Sequence, residues 1–368
     1  MKNYVKKMPL VALLFCLTGC GSRSNLEGGA VKKGREITVE EAKAEMKVAS
    51  EAMEAKDALS IHVDNANYSY EMNLNKNLPT LNSAINITKN EKLSKINAGF
   101  GFSGLTSKDV NDVKGYGELS TDVDFSGTTT ASGLKSEYKT PESRVSAKFY
   151  QDGATSYIDL SDSKLQAVFS ALANGGNVNS DLKLDFSSYD KIAIPNTIEA
   201  DDMPILTKAQ MNKITYEITD EIEDIASRGG TVKALKHDDG TYSYSVQTKD
   251  LDDVDDFDDL IEKDFDIDDD MEVGGLKPNV ETTTNVNTFS IAYVFDSNGI
   301  VSIGATIDFD YKAKATLKIN NKEYVTDVSM KFYFDGKVNF DYNDKATIKE
   351  VTDKDTYKTV KADFELFD

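Results

Sequence analysis

Residues 301–319 read VSIGATIDFDYKAKATLKI, an almost unbroken alternation over nineteen positions. Val301, Ile303, Ala305, Ile307, Phe309, Tyr311, Ala313, Ala315, Leu317 and Ile319 form one face, while Thr306, Asp308, Asp310, Lys312 and Lys314 fall on the other. A period of two is that of a β-strand with one face on a core and one in water. At about 3.3 Å per residue the run spans roughly 60 Å, several times an ordinary strand. Such a strand needs partners, so the fold must be dominated by a large antiparallel sheet. The expectation is that this sheet curves strongly, or that the run breaks where its neighbours change.

Shorter signals fill in the rest. Tyr68, Tyr70, Met72 and Leu74 alternate with polar residues as a half-buried strand does. Before them, TVEE at Thr38 to Glu41 reads as a capping box, and Val39, Ala42, Met46, Ala49 and Met53 share one helix face. Asp-Gly and Asn-Gly pairs mark hairpins. A two-residue turn at Asp152-Gly153 would pair Val145 with Leu160 and Ala147 with Ile158. A bulged turn at Asp335-Gly336, with Gly336 at positive φ, would set Phe332 against Val338. Asn298-Gly299 would lead into the long strand. Two stretches, from Lys148 and from Ala234, repeat an order of strand, turn, strand and helix. Their helices carry Leu165, Val168, Phe169 and Leu172 in one case, and Leu251, Val254, Phe257 and Ile261 in the other. A further helix opens at Thr207 and aligns Met211, Ile214, Ile218, Ile222 and Ile225.

The first twenty residues differ from all this. Lys2, Lys6 and Lys7 precede the apolar run MPLVALLFCL, which is the build of a signal peptide and too short to span a bilayer. The run ends in Leu17, Thr18, Gly19 and Cys20, and this resembles the bacterial lipobox. The resemblance implies that Cys20 is acylated and, after cleavage, becomes the first residue. Residues 1–19 are then a lipoprotein signal peptide, 20–37 a flexible tether, and 38–368 a single α+β domain, with a division into two similar halves near 175–190 as the alternative. Cys16, the other of the two cysteines, is apolar filler in the discarded segment. No disulfide can form in the mature chain.

Losing residues 1–19 makes the net charge of −21 three units more negative, a balance that argues against nucleic-acid partners. Arg23, Lys32, Lys33 and Arg35 face only Glu27 before residue 36, so a basic stretch lies beside the anchor. Gly and Ser in that stretch give a reach of roughly 20 Å.

Chemical constellations are few. The acidic segment 250–272 invites a calcium reading, but an EF-hand loop begun at Asp264 has Asp269 in the glycine place and Gly275 where glutamate belongs. Its helical apolar stripe fits a solvated acidic face instead. GFGFSG at Gly99 to Gly104 matches a dinucleotide fingerprint in letters only, because Phe100 and Phe102 alternate as in a strand and no long helix follows. A serine nucleophile needs a base, and the two histidines, His62 and His237, sit at a strand start and a turn. No catalytic, metal-binding or cofactor-binding residue is assigned, no cofactor is expected, and the chain is not read as an enzyme.

The layout resembles the LolA-like and LppX-like lipoproteins, in which an open half-barrel wraps over helices around a lipid-accepting cavity. It implies a long, strongly curved antiparallel sheet, half-barrel-like, with several amphipathic helices on its concave face. The expected function is that of an envelope lipoprotein held extracytoplasmically on the bacterial cell membrane by the acyl chains of Cys20, binding a lipid or other apolar ligand. The alternative is a structural or adhesive surface lipoprotein that binds proteins or ions. A large enclosed apolar pocket favours the first, and its absence the second.

Overall fold

The computed structural model describes residues 34–53, 56–78, 83–107, 109–173, 190–195, 229–248, 279–320 and 322–360, with Glu223, Ala226 and Ser227 besides. The elements are β1 (Gly34–Glu36), α1 (Val39–Met53), β2 (Ala58–Leu78), β3 (Ser83–Ser103), β4 (Lys114–Ala131), β5 (Leu134–Lys139), β6 (Ser143–Asp152), β7 (Thr155–Asp159), α2 (Ser163–Ala173), β8 (Lys191–Ile194), β9 (Thr231–His237), β10 (Tyr242–Thr248), β11 (Asn279–Asp296), β12 (Gly299–Ile319), β13 (Lys322–Tyr342) and β14 (Lys358–Thr359). All fourteen strands among the described residues join one sheet in the order β1-β9-β10-β11-β12-β13-β2-β3-β4-β6-β7-β8-β14, with β5 on the far half of β4. Among the described residues only the β14–β8 pair is parallel.

The alternating run is indeed one strand. β12 neither breaks nor curls, because β2, β3 and β13 are each as long as it is, at 21 residues. The sheet is open and not strongly curled, which corrects the half-barrel expectation. Bulges interrupt the long strands instead, between Val63 and Ala66, Ser94 and Asn97, and Asp335 and Val338. Asn65 and Lys95 take positive φ at two of them. The backbone groups freed there are met by asparagines: Asn97 accepts from the Asn65 N–H at 3.1 Å, and the Asn67 amide donates to the Asn65 carbonyl at 3.1 Å. A bulge at Val301 also shifts the face there, so Ile300, not Val301, joins Ile303 in the core.

The other hairpin expectations divide. Asp335-Gly336 is no turn: β13 runs straight through it, Gly336 pairs with Ala305 and has no positive φ, and the strand bulges against β2. The turn after β6 uses Gly153 and Ala154, since Asp152 pairs with Thr155 and Phe149 with Ile158. Gly153 supplies the positive φ of 57°. Its place is fixed by the buried Gln151, whose amide donates to the Gly153 carbonyl at 2.7 Å. Asn298 lies in the turn before β12, which closes on Asp296 and Gly299.

Helix α1 forms as its spacing predicts. The Thr38 hydroxyl accepts from the Glu41 N–H at 3.1 Å, while the Glu41 carboxylate pairs with Arg35 at 3.2 Å instead of turning back. Ala42, Met46, Ala49 and Met53 are buried against Leu59, Ile61, Val63, Tyr244, Phe295, Ile303 and Val338. Removing Met46 to alanine from such a core would cost about 2–5 kcal/mol. Leu165 and Val168 of α2 pack on Val123 and Val145. The helices expected from Thr207 and from Leu251 lie outside the described residues, except that Glu223 is helical and pairs with Lys43 of α1.

Two meanders, β2 to β8 and β9 to β13, are sewn by the β13–β2 pair. Each chain end crosses to the other meander. β1 joins β9, drawing residues 34–36 of the expected tether into the sheet, and α1 lies on the second meander. Residues 343–359 return from β13 as a strap across the first.

Candidate functional site

Alternation gives every long strand two faces, and the strap lies on the one opposite α1. Ser60 and His62 point to it, whereas Leu59, Ile61 and Val63 point to α1. The Ser60 hydroxyl accepts from the Thr347 N–H at 3.0 Å. Lys349 then pairs with Glu118, Lys114 with Glu350, and Lys354 with Asp152. At its end Tyr357 packs edge-on to Tyr157 at 5.2 Å beside Val351 and Ala193. Burial, with the negative charge of Asp159 nearby, pushes the Tyr357 hydroxyl up to about 12. The GFGFSG stretch packs on both faces, Gly101 beneath the strap and Phe100 and Phe102 on the α1 side. Phe100 lies opposite Gly117, Phe102 opposite Gly115, and Tyr116 opposite Gly101, each aromatic ring lying over a strand with no side chain in its way.

The strap also settles the arrangement at His62. Ser60 Oγ and Asp341 Oδ2 both approach His62 Nε2, at 3.2 and 3.4 Å. A nucleophilic triad divides serine and carboxylate between the two ring nitrogens. Here they share one, and Ser60 is fully buried under the strap, so these residues hold backbone and present no nucleophile. His237 ends β9, with Nε2 at 2.9 Å from the Ser243 hydroxyl. Among the described residues no group of three or more His, Cys, Asp or Glu is placed to hold a metal. The acidic segment 250–272 and Cys20 lie outside the described residues. No described helix is long and apolar enough to cross a membrane.

Beyond the strap, the same face is hollowed into a trough of about 550 Å³ across β11, β12, β13, β2 and β3. Pairing register sets its floor in two ranks. Glu281, Lys314, Asp327, Asn75 and Asn86 stand side by side in one. Thr283, Lys312, Ser329, Asn73 and Thr88 stand in the other, continued on β4 by Thr128, whose hydroxyl meets that of Thr88 at 2.8 Å. Leu74, Ile87, Ala313 and Val328 belong to the same strands but turn to the opposite face, where they cluster with Met72, Phe309, Tyr311 and Met330. Among the described residues that second apolar cluster includes none of α1 or α2, and Tyr311 in it is fully buried.

The trough was not foreseen. The alternation of β12 did put Lys312 and Lys314 on a polar face, but their neighbours on β2 and β3 come from more than 200 residues away. No protein-family model matches the chain, and no curated protein matches it either.

Proposed function

We propose that this protein is a lipoprotein of the bacterial envelope, anchored through an acylated Cys20, that acts by binding at its surface and not by catalysis. The lipobox-like run Leu17 to Cys20 supports the anchor. One observation carries the rest: among the described residues nothing covers the sheet face opposite α1 beyond the strap, where a trough edged by polar side chains lies, while side chains fill the face beneath α1. This favours the structural or adhesive reading over the carrier of lipids. The carrier reading keeps one observation of its own, the aromatic and methionine cluster around Tyr311 and Met330 that lies on the α1 face but apart from α1. The LolA-like layout supports it in the long open sheet and not in the curl.

Metabolic labelling with palmitate followed by membrane fractionation tests the anchor. The native chain is expected to carry label and sediment with membranes, and Cys20→Ser to lose label and be released or left unprocessed. A Cys20→Ser chain that is still processed and membrane-bound overturns the reading. Native mass spectrometry of the gently extracted protein then separates the two modes of binding. A stoichiometric co-purifying lipid would return the carrier in place of the adhesive surface.

A further inference from the structure

We propose that the trough over β11, β12, β13, β2 and β3 binds a neutral polysaccharide chain laid across the strands. The inference deepens the surface-binding reading by naming its ligand class. It begins from charge. The chain as a whole carries −21, yet the trough offers two lysines against two carboxylates, and Lys314 stands in register between Glu281 and Asp327. A polyanion would meet those carboxylates and a polycation the lysines, so neither finds a continuous field of one sign.

The remaining groups are Thr88, Thr283, Ser329, Asn73, Asn75 and Asn86, every one of which both donates and accepts hydrogen bonds. Sugar hydroxyls do the same, so such a floor pairs with them in either sense. The trough's exposed surface is more carbon than nitrogen and oxygen, which suits the C–H faces of sugar rings beside their hydroxyls, and being open to solvent it does not enclose an acyl chain.

Repetition favours a polymer. Strands stand about 4.8 Å apart, so each rank offers a polar group at that interval, and from β11 to Thr128 on β4 the row runs about 24 Å. Asn73, Asn75 and Asn86 are exposed, so each contact is made against water and is individually weak. Affinity then comes from many contacts along one chain.

Affinity electrophoresis of the full-length, detergent-solubilised protein through native gels holding dextran, xylan, mannan or laminarin tests this. The native protein is expected to be retarded by at least one of the four, equally at low and high salt. Asn73→Ala with Asn86→Ala should weaken that binding about tenfold or more, two lost hydrogen bonds being of that size. Lys92→Ala, an exposed residue of β3 outside the trough, should leave it unchanged. An unchanged thermal midpoint would show that the double variant is folded. The proposal is overturned if none of the four retards the native protein, if the double variant is retarded as strongly as the native, or if high salt abolishes the effect. None of these outcomes touches the Cys20→Ser result, so the trough and the anchor fail separately.

Discussion

Gly101 sits where the strap crosses β3. A Cβ built there would lie 2.5 Å from the Thr347 carbonyl oxygen and 2.6 Å from Cε1 of Tyr116, inside any real contact. Neither neighbour is a free side-chain end, since Thr347 is held by its bond to Ser60 and Tyr116 is buried. Gly101→Ala should therefore destabilise the protein by about 1–3 kcal/mol, as overpacking does. Gly304, in the middle of β12, has nothing within 4 Å of its Cβ position. Gly304→Ala should be neutral or gain up to about 1 kcal/mol from backbone entropy. Urea midpoints for the two variants check the contrast, and equal shifts would mean that the strap does not press on β3. The letters GFGFSG were legible as a strand because Phe100 and Phe102 alternate. That Gly101 makes room for the strap was not, because the strap lies about 250 residues away in sequence.

Elements whose signals are local were legible for the same reason that others were not. The stripe of α1, its Thr38 cap and the alternation of β12 need no distant partner to be read. The bulge at Asp335 does: Asp-Gly is as good a turn as a bulge until β2 and β12, both already 21 residues long, demand a continuous partner. Helix α2 has a cap that the sequence did not announce. Asp162 accepts from the Lys164 N–H at 2.9 Å with one oxygen, and with the other from the Ser146 N–H at 2.8 Å and its hydroxyl at 3.1 Å. Burial works to raise this carboxyl, but the bonds from Lys164 and Ser146 outweigh it and hold it below the ordinary value. A depressed carboxyl contributes stability that is present above the unfolded pKa, near 3.8, and is lost as pH falls through the lower folded value. Asp162→Ala should then cost about 1 kcal/mol near neutrality, and the gap from the native protein should close as the medium becomes acid. Denaturation midpoints across that range would show it. A gap that widened in acid would reverse the sign and remove the carboxylate from the account.

At the scale of the whole molecule, the two meanders cannot be separated without breaking three kinds of connection. The β13–β2 seam pairs fifteen residues of each strand. Helix α1 precedes the first meander but lies on the second, and the strap follows the second but lies on the first. A similar order of strands in each half, as read from the sequence, would by itself suggest two units that melt apart. Their interlocking implies one cooperative transition, because loosening either half strips a cover from the other. The chain contains no tryptophan, so a single introduced one reports on one place alone. Phe149→Trp marks the first meander on β6, and Phe289→Trp the second on β11. Each variant, unfolded in urea and followed by its own tryptophan and by far-ultraviolet circular dichroism, should give coincident curves. Adding Val145→Ala beneath α2 should lower the midpoint reported from Phe289→Trp as well, by the equivalent of about 1–3 kcal/mol. If the tryptophan on β11 did not register a cavity made on β6, the seam would not couple the halves, and the sheet would be two sheets side by side.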